Sequence, residues 1–270
     1  MSGQKEMLQK AENVAEKVTL SSKHVLPHLA RFCLVSTFFE DGLRMWLQWK
    51  DQMEYMDIAW SCGQNLAELF VAINFVGQLS AVAMVLTRVK VCIAFWILFF
   101  IVILQTIAYI DLWGMLFLFR NLSLIGGLLL VLAESLVEDK SIFAGVPSLG
   151  ENKTKMYLQF AGRILLLFMF ETLLRFEVST KEIIQNLVGS LLMVLVTVGY
   201  KTKLSALVLF TWLNIFNFYF NAWWTISDDN SMRSGLKYNF FQTLSVIGGL
   251  LMVVSLGAGG LSMDERKKKW

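Results

Sequence analysis

Ionisable residues set inside long apolar runs are the places where this chain could do chemistry. Glu40 and Arg44 stand four apart in one such run, and Glu171 and Arg175 four apart in another, the spacing that puts opposite charges side by side on a helix. Asp41, Glu68 and Arg120 lie in similar apolar surroundings without an opposite charge at that spacing, so their partners must come from other helices or from a ligand. Carboxylates in such places can hold an ammonium group, and an arginine can hold a carboxylate or a peptide carbonyl. Catalysis is not indicated. The sequence offers no nucleophile and base in register, no phosphate-binding glycine loop and no His or Cys cluster for a metal or cofactor. His24 and His28 are four apart, but Pro27 disrupts the helix between them. Cys33, Cys62 and Cys92 form no CxxC and read as small packing residues. Two readings of the charges stand side by side: Glu40 with Arg44 and Glu171 with Arg175 as internal structural pairs, or the whole set as the lining of a polar cavity.

The elements that must position these charges are membrane helices. With 56% hydrophobic residues, 17% charged residues and two prolines, and a mean hydropathy of +0.57, the chain reads as an all-α polytopic membrane protein. Apolar segments near spanning length occupy about residues 28–49, 66–86, 91–110, 115–133, 157–175, 183–199, 204–224 and 238–257, which predicts about eight transmembrane helices. LSLIGGLLLV at 122–131 returns as LSVIGGLLMV at 244–253, and a match of that length predicts duplication. Arg31, Glu40 and Arg44 run parallel to Arg163, Glu171 and Arg175, and the basic turns at 88–90 and 201–203 also correspond. The expected organisation is an N-terminal amphipathic segment (1–27), a first four-helix repeat (28–133), a connector (134–156), a second four-helix repeat (157–257) and a basic tail (258–270). With four spans per copy, the repeats are parallel rather than inverted. Residues 1–27 lack a signal peptide's apolar core. Their apolar face, Met7, Ala11, Val14, Ala15 and Val18, reads as a helix resting on the membrane surface or as a soluble lid.

Even numbers of spans put both termini on one side. The loops of that side hold fifteen Lys and Arg against four opposite, so it is expected to be cytosolic by the positive-inside rule. The sequon at Asn152 then stays bare, and the loop 51–65 belongs to an acidic lumenal face. Arg31 and Arg163 fall near cytosolic helix ends, where they are expected to snorkel. The other intramembrane charges fall in the non-cytosolic halves and predict a cavity open to the lumen. No nucleic-acid partner is implied by a net charge of +3.

The stretches LPHLARFCLVSTFFEDGLRMWLQW (26–49), LQTIAY (104–109), RNLSLIGGLLLVLAES (120–135), KSIFAGVP (140–147), KTKLSAL (201–207), FNFYFNAWWTI (216–226) and SMDERKKKW (262–270) resemble the surfeit locus protein 4 family of endoplasmic-reticulum cargo receptors over nearly the whole chain. The resemblance implies a receptor that collects soluble secretory proteins in the lumen, enters COPII carriers and returns through COPI by a di-lysine signal, here Lys267 and Lys268, cycling through the intermediate compartment and Golgi. Each half is more distantly similar to DoxX-type membrane proteins, which keeps a redox-associated protein as an alternative. A small-molecule or lipid transporter is another, because parallel repeats around a polar cavity also build transporters. The chain departs from the family at Gly257-Ala258-Gly259-Gly260, where Gly-Pro-Gly-Gly is usual, and at Glu171 and Arg175. Secretory cargo presents a free N-terminus after signal-peptide cleavage. Asp41 and Glu68 are the expected partners of its amine, Arg120 holds the acids apart or donates to a carbonyl, and Tyr219, Trp223 and Trp224 offer apolar faces, unless the tryptophans are an interfacial belt.

Overall fold

Backbone polar groups have no water to bind in a bilayer, so long apolar runs must satisfy them internally as helices. The computed structural model describes residues 2–109, 115–142, 153–173, 180–227, 231–257, 259 and 262–264. Its helices are α1 (Ser2–Ser21), α2 (Leu26–Leu47), α3 (Trp49–Trp60), α4 (Gln64–Thr87), α5 (Val91–Ala108), α6 (Met115–Ile142), α7 (Lys153–Leu173), α8 (Thr180–Val198), α9 (Thr202–Phe220) and α10 (Ser231–Leu256), with a 3-10 turn at Trp223–Thr225. The protein is an all-α polytopic membrane protein. Among the described residues, five helices are by themselves long and apolar enough to cross a membrane, in α4, α5, α6, α9 and α10. The helix α2 carries Arg31, Glu40, Asp41 and Arg44, and turns the first three inward, where they are buried.

Helix α10 is the hub: two-thirds of its span is buried, against a third of those in α4, α5 and α9. It packs on α2, α6, α7 and α9. Within 26–142, α2 touches α4, α4 touches α5, α5 touches α6, and α6 returns to α2. Within 153–256 the same circuit runs α7, α8, α9, α10 and back to α7. The two circuits join through α6 with α7, α2 with α10, and α6 with α10, a set that exchanges with itself when the halves are swapped.

The double glycines explain the close packing. A Cβ on Gly126 would fall on Leu165 of α7, and one on Gly127 would meet Leu34 of α2 at 3.1 Å. A Cβ on Gly248 would fall on the α2 backbone at Leu34, and one on Gly249 would meet Leu166 of α7 at 2.6 Å. In each pair the first glycine faces the leading helix of the other half and the second faces the leading helix of its own. The tight turns match too. Arg88 (φ +62°) and Lys90 (φ +49°) link α4 to α5, as Gly199 (φ +78°) and Lys201 (φ +47°) link α8 to α9.

Three expectations change. The stretch expected as the lumenal loop 51–65 is helical through Trp60, because its turn-free run of helix-forming residues lays Met53, Tyr55 and Met56 against the side of α4 and α5. The helix α6 continues through Ile142, into the segment expected as connector. Arg31 and Arg163 do not snorkel; both are buried. Residues 143–152, with the sequon Asn152, fall outside the described residues. The helix α1 packs on α9 through Ala15 and a 2.7 Å ion pair from Glu12 to Lys201, while Met7, Val14 and Val18 remain exposed.

Candidate functional site

Adjacent residues on a helix point about 100° apart, so Glu40 and Asp41 of α2 look toward different neighbours. Asp41 faces α4 and α5. Its Oδ2 accepts hydrogen bonds from Gln78 Nε2 and Gln105 Nε2, each at 2.7 Å, and its Oδ1 accepts one from Arg44. Glu40 faces α10. Its Oε1 lies 3.5 Å from Lys237 Nζ, and its Oε2 is buried without a hydrogen-bond partner among the described residues.

Lys237 extends the site toward the aromatic end of α9. Its ammonium lies 5.9 Å from the centre of the Trp223 ring, and the Arg233 guanidinium lies 5.3 Å from it, both within cation–π range. Trp224 packs edge-on against Trp223 at 6.0 Å. Helix α3 roofs the other flank: Trp60 Nε1 donates to the Ala108 carbonyl at 2.8 Å, and Tyr109 donates from its hydroxyl to Gln52 at 3.0 Å. Beneath these, Asn217 Nδ2 donates to the Phe240 carbonyl and Thr37 to the Phe241 carbonyl, which ties α9 and α2 to the first half of α10.

The structure thus brings Glu40, Asp41, Arg44 and Trp223 to one end of the bundle. The expected pair of Glu40 with Arg44 is replaced: Arg44 pairs with Asp41, one turn below, because Glu40 is turned to Lys237. Glu68 is at the same end but on the exposed side of α4, and Tyr219 is 76% exposed. Arg120 and Glu171 lie on α6 and α7 with their side chains outside the described set. Arg175, Lys267 and Lys268 fall outside the described residues. Sequence reasoning missed Gln78 and the role of Lys237. Gln78 is one turn from Asn74 in an otherwise apolar run, and that was the available signal.

The opposite end carries different charges. Arg31 of α2 forms a fork with Glu134 of α6, Nε to Oε2 at 2.6 Å and Nη2 to Oε1 at 2.5 Å. The tail is fastened there as well: the Asp264 carboxylate accepts from Lys201 N, Thr202 N and Thr202 Oγ1, each at 2.8 Å, which caps α9, and Asp264 N donates to the Gly199 carbonyl at 3.0 Å. Among the described residues no group of three or more His, Cys, Asp or Glu could hold a metal ion.

The profile of the SURF4 family matches residues 5–270. A surfeit locus protein 4 homolog of Drosophila melanogaster is 62% identical over 270 residues, covering all of both chains. One of Schizosaccharomyces pombe is 36% identical over 90% of this chain and 82% of its own. The ER-derived vesicles protein ERV29 of Saccharomyces cerevisiae is 36% identical over 93% of this chain and 80% of its own. No solved structure matches.

Proposed function

Because the chain belongs to the surfeit locus protein 4 family, we propose that it serves vesicle traffic out of the endoplasmic reticulum as a membrane-embedded receptor for soluble lumenal proteins, and not as an enzyme. The name of the yeast relative, an ER-derived vesicles protein, supports that compartment. In this reading the halves are parallel copies, both termini are cytosolic and the Glu40–Asp41 end opens to the lumen. COPII components carry the receptor forward, and COPI returns it from the Golgi through Lys267 and Lys268.

The observation that carries the reading is Glu40. An ammonium already sits beside it, that of Lys237, held between a carboxylate and an indole face. A second carboxylate oxygen is buried with nothing to bind. That is the environment a cargo's N-terminal amine requires, and the Lys237 ammonium competes for it. Asp41 lends charge from behind, braced by Gln78 and Gln105. Glu68 adds negative potential at the mouth, Arg120 donates to a peptide carbonyl, and Tyr219, Trp223 and Trp224 receive the apolar side chains that follow the amine.

Leaving a half-buried ammonium without its carboxylate costs about 2–5 kcal/mol, so Glu40→Gln should weaken binding of a cargo N-terminal peptide by about tenfold or more. Lys237→Met should tighten it by removing the competitor. Both are measured with a labelled peptide and the purified full chain, against the same peptide acetylated at its N-terminus. Equal binding of free and acetylated peptide to the wild type would sink the assignment.

A further inference from the structure

Arg163 of α7 is among the largest side chains the bundle buries completely, 1% exposed. Among the described residues its Nε, Nη1 and Nη2 have no hydrogen-bond partner, and the Phe160 ring lies 5.9 Å from its guanidinium. A guanidinium keeps its charge at any physiological pH, so burial cannot be relieved by losing a proton. It has to be met by an anion.

The first half shows what such an arginine takes. Arg31, at the matching place in α2, holds the Glu134 carboxylate with two short hydrogen bonds. The register of the double-glycine motif, 126 against 248, carries Glu134 onto Leu256, so the second half has no acid at that place. Asp264 is near enough to act on Arg163 electrostatically, but both its oxygens are committed to the first turn of α9.

A second donor stands beside the arginine. Gln159, one turn earlier on α7, is also buried, and its Nε2 has no hydrogen-bond partner among the described residues. Both side chains lie under the tail. A Cβ on Gly259 would meet Gln159 Oε1 at 2.7 Å, and one on Gly199 would meet Arg163 Nη1 at 2.9 Å and Ser262 Cβ at 2.5 Å.

We propose that Arg163 and Gln159 form a site for a phosphate-class oxyanion, either free or as a lipid headgroup, closed over by the tail at Gly259 and Ser262. The arginine fork takes two oxygens in one plane, as it does with a carboxylate in the first half, and the glutamine amide donates to a third. A carboxylate would satisfy the fork but leave the amide unused, which favours the tetrahedral anion. Gly257 (φ +80°) and Gly259 (φ +71°) hold left-handed backbone that glycine adopts without strain, and they give the cover its pivots. A cleft of about 520 Å³ between α1, α9 and the tail reaches Gly257 and Asp264 on either side of that cover, and Lys201 and Lys203 line it. Glu12 and Glu16 line it too, so the cleft brings charges of both signs to the edge of the cover. Because the tail closes the site, occupancy sets how firmly the tail is held.

The test follows thermal unfolding of the purified full chain. In detergent, inorganic phosphate should raise Tm saturably over chloride at equal ionic strength. In nanodiscs, replacing part of the phosphatidylcholine with phosphatidic acid should do so without added phosphate if the source is lipid. Response to phosphate in detergent assigns a free anion; response to phosphatidic acid alone assigns the headgroup. Leu256→Glu rebuilds the first half's acid, and it should raise Tm in chloride while weakening the anion response by about tenfold or more. Arg163→Gln should abolish that response. No response of the wild type to either probe, or an undiminished response in Leu256→Glu, overturns the proposal.

Discussion

In the first half, a buried arginine on the leading helix meets a glutamate from the fourth; in the second, the arginine at the same register has Leu256 where that glutamate would stand. Much of the packing around this difference is alike. The circuits of helix contacts match, the turn lysines at 90 and 201 both adopt left-handed backbone, and the glycine pairs face the same partners in the same order. The comparison separates two kinds of constraint. Close helix crossing fixes small residues wherever a side chain would strike backbone. Charge is fixed only where another group has come to depend on it, so the two halves can share packing and still bind different things.

The strongest way to break the comparison is Glu134→Ala. It strips the partner from a buried guanidinium, and the expected loss is about 3–5 kcal/mol, read as a fall in Tm and in detergent-stable yield. Arg163→Met should behave oppositely in phosphate-free buffer, leaving Tm unchanged or higher, since it removes a charge with no paired carboxylate. If the two variants lose equal stability, the arginines are equivalent and the contrast fails.

The glycines offer the next effect. Gly248→Ala drives a methyl group into the α2 backbone, 2.7 Å from the Ala30 carbonyl oxygen, and overpacking of this kind costs about 1–3 kcal/mol or more. Gly249→Ala meets the ends of the Leu166 side chain, which can move, and should cost less than about 1.5 kcal/mol. The same order, Gly126 worse than Gly127, is expected in the first half, and thermal unfolding of the four variants checks it. A reversed order in either half would show that the crossings are not matched.

Asp264→Ala tests a feature that the described residues show only in the second half. Removing the cap of α9 should cost about 0.5–2 kcal/mol and speed hydrogen exchange at Thr202, with no change at the corresponding turn before α5. Smallest for stability is Lys267→Ser with Lys268→Ser. Tm should not move, while the steady-state distribution shifts from the endoplasmic reticulum toward the Golgi; unchanged localisation would leave those lysines as plain surface charge.

Much of this architecture was legible from apolar run length and the repeated glycines, because both act locally. The charges were harder. An i,i+4 spacing made Glu40 with Arg44 the obvious pair, but Lys237 lies on α10, nearly two hundred residues along, and sequence spacing carries no sign of it. Glu134 was read as the start of a polar connector; it is instead held in the bundle by Arg31, 103 residues away. Asp41 was legible as a buried acid, but not its bond to Gln78, a lone amide in a run that otherwise faces lipid or core. The helix α3 was missed because a short amphipathic stretch between two spans looks like a loop until Met56 and Trp60 find the ends of α4 and α5.

The Asp264 clamp also acts as a short leash. Lys267 follows it by three residues and Lys268 by four, and a fully extended chain spans about 3.3–3.6 Å per residue. Neither lysine's backbone can therefore stand more than roughly 14 Å from the base of α9 while the clamp holds. On the proposed di-lysine reading, a coat subunit that grips both would have to come down against the membrane surface. Release of the clamp would lengthen the leash back to Leu256, and the two lysines could then stand more than twice as far from the base of α9.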